Sequence, residues 1–305
     1  MKKAVIVYHK VDYDGLFSCS IVNKWLRENP YISWEYVGYD YSDPNIPDYS
    51  EWKDYFDTLI MVDVSFPPED MVRLKKEMRE FIYEDHHIVS IDNSKKYGYD
   101  DLEGIRDINN SAAYNTWLDL FPNKKVPLII KFISDLDIWN KKDYSWEDIL
   151  VPFNYSLNSK YGLNITSINF KLDKLINMNL EDLTKNFIET GLEIKKYVDR
   201  KQESEVKKYS FEVKVDDKYT ARAIIETNFS ATIFNYFYES YDFFIIANRV
   251  DDSRYKISIY GKNENDIDFS CGEYCAKFGG GGHKTAASCI VGLDKFIELI
   301  TNKKF

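Results

Sequence analysis

The sequence predicts an α/β protein with a parallel-sheet domain, a helical connector and a smaller mixed α/β domain. Short apolar segments alternate with helical segments through the first half of the chain, which is typical of βαβ units with helices on both faces of a sheet. From about residue 209 the segments alternate between polar and apolar residues, which indicates a strand-rich region. We therefore predict a first domain over residues 1–145, a helical connector over 146–206 and a second domain over 207–305.

The individual elements follow from the length and the flanks of the apolar segments. In the first domain, segments of three to six residues indicate strands at 4–8, 34–39, 58–62 and 81–83. Longer segments indicate helices at 16–26, 111–121 and 126–133, and Pro67-Pro68-Glu69-Asp70 suits the first turn of another. In the second domain, strands are predicted at 211–215, 243–246 and 255–259, with helices near 230–239 and 270–277.

The composition limits the class of ligand and the cellular compartment. The formal net charge of the 305-residue chain is −10, which argues against long duplex nucleic acid, because such binding depends on neutralising many phosphates. A short oligonucleotide or a small nucleotide is compatible with this charge. The four cysteines lack the spacing of a zinc site. No signal-peptide pattern and no apolar segment of about 20 residues is present, so a cytoplasmic, non-membrane protein is expected, and homodimerisation stays open.

Aspartate and histidine recur in four short clusters, three of which follow an apolar segment. The clusters are His9 to Gly15, Asp63, Asp85 to His87, and Asp135 to Asp137. Because ligands of open α/β sheets bind at the carboxyl ends of the strands, we expect these side chains to converge. Crowded carboxylates raise one another's pKa values unless divalent cations bind between them. The sequence therefore predicts a two-metal site, and the added imidazoles favour Mn²⁺ over Mg²⁺.

The clusters extend into longer motifs that point to one family. The motifs are His9-x-x-Asp12-x-Asp14-Gly15, Val62-Asp63-x-Ser65-Phe66-Pro67, Asp85-His86-His87-Ile88, Ser134-Asp135-x-Asp137-x-Trp139 and, near the C-terminus, Phe278 to Ala287 with Gly279, Gly280, Gly281, Gly282 and His283. In this order they resemble the motifs of the DHH phosphoesterase family and of its DHH-associated substrate domain. The resemblance covers nearly the whole chain, and the two-domain members that it implies degrade short oligoribonucleotides or dephosphorylate adenosine bisphosphate.

The resemblance also implies a ligand set. One Mn²⁺ would be held by His9, Asp12 and Asp63, and a second by Asp14, Asp63, His86 and Asp135, with Asp63 as the bridge. Mg²⁺ or Co²⁺ would be the substitutes. His87 would contact the phosphate or support the ligands, and Asp85 would orient or assist a metal-bound water. The family uses the first aspartate of its fourth motif, so Asp135 is preferred here to Asp137.

Each cluster also has a simpler interpretation. A lone Asp-x-Asp is commonly a turn or a helix cap, and Asp85-His86-His87 alone would suit the end of a helix. Alternatively, residues 88–91 would form a strand that ends at Asp92 and would leave both histidines outside the third motif. The four clusters in series favour metal binding, and the literal Asp-His-His triplet argues against the alternative strand.

The glycine-rich segment predicts a second phosphate contact. Consecutive glycines allow successive backbone N–H groups to face one anion, with His283 adding a hydrogen bond, although a flexible hairpin tip would have the same composition. Family members often carry an arginine in the preceding strand, which the segment Ser258-Ile259-Tyr260-Gly261 lacks. Arg254 or Arg249 is the candidate to replace it.

These observations predict a Mn²⁺-dependent phosphodiesterase or phosphatase for short oligonucleotides or small phosphorylated nucleotides. Hydrolysis of cyclic dinucleotides, polyphosphate or pyrophosphate would use the same chemistry and stays open. A nucleotide-binding sensor or sequestering module is the non-enzymatic alternative, and metal-dependent turnover would exclude it.

Overall fold

The computed structural model describes residues 2–215, 218–225, 234, 240–261, 269–282 and 284–301. The chain forms two compact units, Met1–Lys195 and Lys196–Phe305. The first contains a parallel sheet and the second a mixed sheet, so the predicted α/β class is confirmed.

The first unit alternates strands and helices before a helical segment. Its elements are β1 Lys2–His9, α1 Tyr13–Glu28, β2 Tyr31–Tyr39, α2 Trp52–Tyr55, β3 Thr58–Val62, α3 Pro68–Glu77, β4 Glu80–Glu84, α4 Ile88–Tyr97, α5 Ala112–Leu120, α6 Leu128–Asp137, a π-helical turn Trp146–Leu150, α7 Val151–Tyr161, α8 Ile165–Leu175, α9 Leu180–Leu183 and a second π-helical turn Thr184–Ile188. Helix α10, Glu189–Tyr209, begins in this unit and continues into the second.

The sheet of the first unit is parallel throughout, in the order β2-β1-β3-β4. The central strands β1 and β3 are buried on both faces, which explains their continuous apolar sequences, whereas the edge strand β2 is largely exposed. Ala4 and Ile6 of β1 pack with α1, whereas Val5 and Val7 pack on the opposite face with α3. This arrangement brings the carboxyl ends of all four strands to one edge of the sheet.

The segment predicted as a connector contributes a helical layer to the first unit. Phe153 of α7 and Phe187 of the second π-helical turn share a buried cluster with Phe17 of α1 and Phe132 of α6. Residues up to Lys195 therefore belong to this unit's core, rather than standing between two domains.

Two elements of the first unit differ from what the sequence allowed or predicted: the alternative strand at residues 88–91 and the end of the helix predicted over 126–133. Residues 88–97 form α4, so the alternative strand ending at Asp92 is wrong. Helix α6 continues to Asp137, beyond the predicted end at residue 133, and the fourth motif therefore lies on a helix. In the described part of the chain, no helix is both long and apolar enough to span a bilayer.

The second unit contains a mixed sheet in the order β5-β6-β7-β8-β10-β9. Its elements are β5 Phe211–Val215, β6 Tyr219–Ile225, β7 Phe243–Arg249, β8 Arg254–Gly261, α11 Cys271–Ala276, β9 Gly281–Gly282, β10 Ala286–Gly292 and α12 Leu293–Thr301. Strands β6 and β7 are parallel and the other pairs are antiparallel. The helix predicted near 230–239 lies, apart from residue 234, outside the described residues.

Candidate metal centre

Asp63 occupies the centre of the strand edge and has an unusual backbone. It follows β3 directly, is 1% exposed, and has a φ of 60°. This left-handed conformation is uncommon for residues other than glycine, although aspartate and asparagine tolerate it best. Neither carboxylate oxygen has a hydrogen-bond partner of normal geometry. A buried carboxylate whose hydrogen bonds are incomplete is costly, so this group suits a bound cation.

His9 and Asp12 form one group of ligand atoms with Asp63. His9 Nδ1 lies 2.5 Å from Asp12 Oδ2 and 3.6 Å from Asp63 Oδ2. Asp12 also caps α1 by accepting a hydrogen bond from the Gly15 N–H at 2.9 Å. A Cβ on Gly15 would lie 2.0 Å from the carbonyl oxygen of His9, so only glycine allows this helix to begin so close to β1.

Asp14, His86 and Asp137 form a second group of ligand atoms. His86 Nε2 lies 3.2 Å from Asp137 Oδ2, 3.4 Å from Asp63 Oδ1 and 3.8 Å from Asp14 Oδ2. The carboxylate of Asp14 accepts hydrogen bonds from the N–H groups of Ala112 (2.7 Å) and Ala113 (2.8 Å), at the start of α5. The N-terminus of that helix therefore fixes one ligand by favouring its negative charge.

The electrostatics of the cluster fit divalent cations. Burial, with the neighbouring Asp14 charge, raises the pKa of Asp63 well above its usual range, and burial raises that of Asp137 to about 7. Burial alone would lower the pKa of His86, but its hydrogen bond with Asp63 and the nearby carboxylates raise it to about 9. Four buried atoms in the cluster lack hydrogen bonds of normal geometry: His9 Nδ1, Asp63 Oδ1, Asp63 Oδ2 and Asp137 Oδ2. Carboxylate and imidazole atoms in this arrangement suit a hard or borderline divalent metal.

Asp85 is oriented away from these groups and holds His87. It is fully buried, and its Oδ1 accepts hydrogen bonds from the N–H groups of His86 (2.7 Å) and His87 (3.1 Å). The same oxygen lies 2.8 Å from His87 Nδ1, and the Tyr83 hydroxyl donates to Oδ2. The hydrogen bond with Asp85 raises the pKa of His87, whose side chain is 40% exposed. The geometry therefore favours an orienting role for Asp85 over assistance to a water.

The structure does not bring Asp135, the predicted ligand of the fourth motif, to the cluster. The Asp135 carboxylate accepts a hydrogen bond from Asn140 Nδ2 at 2.7 Å and lines a separate cavity with Lys131. Asp137, two residues further along, reaches His86 instead. Positions two apart on an α-helix point in very different directions, so the two aspartates cannot share one site.

The glycine-rich segment is more extensively hydrogen-bonded than the sequence predicted. The N–H groups of Gly279 and Gly280 donate to the carbonyl oxygens of Ala276 and Cys275, at 3.1 and 3.0 Å. Gly281 and Gly282 form β9 and pair with β10. Two of the four N–H groups are thus committed to the end of α11, and His283 lies outside the described residues.

Arg254, the candidate to replace the missing arginine, does not lie beside the glycine segment. It pairs with Gly292 at the start of β8, whereas Gly282 pairs with Ala287, which lies opposite Ile259. Ile259 lies five residues along the strand from Arg254, a distance of roughly 17 Å. Arg254 forms an ion pair with Asp251 at 2.6 Å, and Arg249 is paired similarly with Asp252.

Sequence reasoning missed three residues that support the cluster. Asp40 Oδ1 lies 3.2 Å from His9 Nε2 and so orients the imidazole ring. Asp40 could have been found from the sequence, because it directly follows β2 as the candidate ligands follow their strands. Asn115 Nδ2 donates to the carbonyl oxygens of Asp85 (3.2 Å) and Asp107 (3.0 Å). Neither Asn115 nor Tyr83, the partner of Asp85, has a sequence signal of its own.

Comparisons with known proteins agree with this fold. No family model and no curated protein matches the chain. The pGpG-specific phosphodiesterase PggH from Vibrio cholerae is similar over 97% of this chain and 95% of its own, with 14% identity and a TM-score of 0.51. A DHH domain described as a member of the s1p family of ribosomal proteins is similar over 99% of this chain and 86% of its own, with 14% identity and a TM-score of 0.59. The chain therefore has the fold of DHH-domain proteins, as its motifs predicted.

Proposed function

We propose that this chain is a cytoplasmic, metal-dependent phosphoric-ester hydrolase that acts on short oligonucleotides or small phosphorylated nucleotides. The observation that supports the proposal is the convergence of four buried candidate ligand atoms that lack hydrogen bonds of normal geometry, on three residues at the strand edge: His9, Asp63 and Asp137. A protein that used this edge only for packing would have paired or replaced these groups, because each unpaired polar atom lowers stability.

The ligand groups suggest how two cations would be held. His9, Asp12 and Asp63 would hold one ion, and Asp14, His86 and Asp137 the other, with Asp63 close enough to His86 to serve both. Bound divalent cations would stabilise negative charge on a phosphoryl group and activate water at neutral pH. The mixture of carboxylate and imidazole favours Mn²⁺, with Mg²⁺ or Co²⁺ as substitutes.

The protein's own residues would bind and orient the phosphate. Asp85 occupies Nδ1 of His87, so the other ring nitrogen is the one that can reach a substrate. Because the pKa of His87 is raised, its ring is protonated over a wider pH range and can donate to a phosphoryl oxygen. In this role His87 contacts the substrate and Asp85 is a positioning residue.

A dinucleotide is the first substrate to test. PggH, one of the proteins with this fold, is described as specific for pGpG. The net charge of −10 suits a ligand with few phosphates. Adenosine bisphosphate, cyclic dinucleotides, polyphosphate and pyrophosphate are the remaining candidates for the same chemistry.

The test is product analysis of 5′-labelled pGpG and of a second RNA dinucleotide with added Mn²⁺. We expect release of mononucleotides that chelation abolishes. His86→Ala should remove this release, because it takes away an atom of the second ligand group. Absence of turnover on every phosphorylated candidate, with Mn²⁺ shown to be bound by calorimetry, would favour the sensor or sequestering hypothesis.

Asp137→Asn and Asp135→Asn form a matched pair that tests the ligand assignment. Both remove one carboxylate charge from the same helix, but only Asp137 lies at the cluster. We expect Asp137→Asn to lower kcat/KM by about 100-fold and Asp135→Asn by less than about threefold. The opposite ranking would return the ligand role to Asp135.

A further inference from the structure

A cavity of about 490 Å³ adjoins the ligand cluster within the first unit. Its walls include Asp12, Asp14 and Asp137 from the cluster together with the indoles of Trp139 and Trp146. The volume falls in the range of about 300–1,000 Å³ that small-molecule sites occupy. A ligand in this cavity would therefore contact both the aromatic surface and the groups proposed to hold the cations.

Trp139 has a backbone conformation that its residue type disfavours. Its φ is 56°, and among the residues that the structure describes, Asp63 is the other non-glycine residue with a positive φ. Trp139 follows the end of α6, where the Asn140 N–H donates to the carbonyl oxygen of Asp135 at 2.8 Å. This closing hydrogen bond defines a helix C-terminus at which glycine is the preferred residue in the left-handed position. Tryptophan there lowers the stability of the fold.

Packing does not account for this tryptophan. The indole of Trp139 stacks on that of Trp146, with centroids 5.1 Å apart and planes inclined by 19°, and Lys141 Nζ lies 5.5 Å from its centroid. Nevertheless 67% of the Trp139 surface is exposed. A residue that is both strained and exposed contributes little to folding, and such residues concentrate at functional sites.

We propose that Trp139 is a stacking surface for a nucleobase of the substrate, next to the phosphate bound at the metal centre. This inference deepens the proposed function and rests on it. Bases of all four kinds present a flat π face to an aromatic side chain, so stacking holds a nucleotide without selecting its sequence. Lys141 Nζ, 5.0 Å from the Trp146 centroid, adds a positive charge beside the indoles that suits a phosphorylated nucleotide. Polyphosphate and pyrophosphate offer no group for this surface, so the substrate class is base-bearing.

Trp139→Gly separates a binding role from a structural one. Glycine relieves the left-handed conformation, so the melting temperature of this variant should equal or exceed that of the wild type. A tryptophan needed for packing would instead give a lower melting temperature on removal. Trp139→Phe keeps a flat ring and should retain most of the base affinity.

The binding readout is the ratio of the dissociation constants of ribose 5-phosphate and GMP, measured by calorimetry with Mn²⁺ present. The two ligands share the sugar phosphate and differ in the base. Stacking on one aromatic ring predicts a wild-type ratio of about 10 or more, and Trp139→Gly should bring it near one. Phe170→Ala is the matched control, because Phe170 is 81% exposed and has Lys171 over its ring but does not line the cavity.

The outcomes distinguish this inference from the proposed function. A wild-type ratio near one, or an unchanged ratio in Trp139→Gly, overturns the stacking role even where dinucleotides are hydrolysed. A ratio that falls to near one in Trp139→Gly and stays at the wild-type value in Phe170→Ala supports the stacking role. Should none of the phosphorylated candidates be hydrolysed while that loss is seen, the hydrolase proposal fails and the base-binding surface stands.

Discussion

The metal-ligand cluster and the glycine-rich segment both resembled phosphate-binding motifs in the sequence, yet their hydrogen bonding differs. At the cluster, His9 Nδ1, both oxygens of Asp63 and Asp137 Oδ2 are buried without hydrogen bonds of normal geometry. In the glycine segment, Gly279 and Gly280 donate to α11, while Gly281 and Gly282 pair with a strand. One region leaves buried hydrogen bonds incomplete, and the other satisfies much of its hydrogen bonding within the protein.

From this difference we expect the free energy of ligand binding to come mainly from the cluster. Buried carboxylates that repel one another gain stability when a cation binds, whereas a backbone N–H that already has a partner gains little. Cation binding is therefore expected to change the stability of the first unit, which contains every residue of the cluster. The following variants are ordered by their expected effect on metal binding.

Asp63→Asn should have the largest effect. Asparagine tolerates the left-handed backbone of this position but removes a charge that belongs to the first ligand group and lies 3.4 Å from His86 of the second. We expect hydrolysis to fall by more than about 100-fold. In the wild type, Mn²⁺ at about 100 times its Kd should add about 2.7 kcal/mol to the free energy of unfolding, and this gain should vanish in the variant.

Without metal, the Asp63→Asn substitution should raise the stability of the fold rather than lower it. The raised pKa of Asp63 means that its ionised form is disfavoured in the folded state, so stability contributed at low pH is lost as pH rises through that pKa. A neutral amide removes this loss, and the metal-free variant should melt at a higher temperature than the metal-free wild type at pH 7. A lower melting temperature would mean that Asp63 stabilises the fold through its own contacts.

Asp40→Ala should have an intermediate effect. Asp40 contacts the ring nitrogen of His9 that points away from Asp12 and Asp63, and so holds the imidazole in a metal-binding orientation. Loss of such a partner lowers metal affinity by about 10- to 100-fold. Calorimetric titration with Mn²⁺ measures this change, and saturating Mn²⁺ should restore most of the activity. Asp48→Ala, on the same loop with a hydrogen bond to the Ser50 N–H, is the control and should leave Mn²⁺ affinity unaltered.

The strand-end rule accounts for what the sequence could predict of the site. His9, Asp63 and Asp85 each follow a buried strand, and a parallel sheet necessarily brings such positions to one edge. The same rule applies to Asp40, which directly follows β2 but lies outside the motifs that pointed to the family. The fold class was predictable for the same reason, since apolar strands buried on both faces require βαβ connections.

Side-chain direction on a helix separates the two aspartates of the fourth motif. Asp135 is buried and its carboxylate contacts Asn140, whereas Asp137 Oδ2 lies 3.2 Å from His86 Nε2. Residues two apart on a helix point in different directions, so only one of them could reach the cluster, and no local pattern identifies which one. The hydrogen bonds that occupy the glycine segment depend on where α11 ends and on its pairing with β10, which are tertiary features that no local pattern specifies.

Gly280→Ala and Gly281→Ala should have the smallest effect on metal binding, and together they test the glycine segment directly. A Cβ on Gly280 would lie 2.2 Å from the carbonyl oxygen of Ser288, whereas one on Gly281 would meet nothing within 4 Å. We expect Gly280→Ala to lower the free energy of unfolding by about 1–3 kcal/mol and Gly281→Ala to change it by less than about 0.5 kcal/mol, as measured by urea denaturation. Mn²⁺ affinity should be unchanged in both, because the ligands lie in the other unit. If Gly281→Ala instead weakens nucleotide binding more than about tenfold at unchanged stability, the segment binds phosphate as the sequence predicted, and the contrast with the cluster is smaller than the hydrogen bonding indicates.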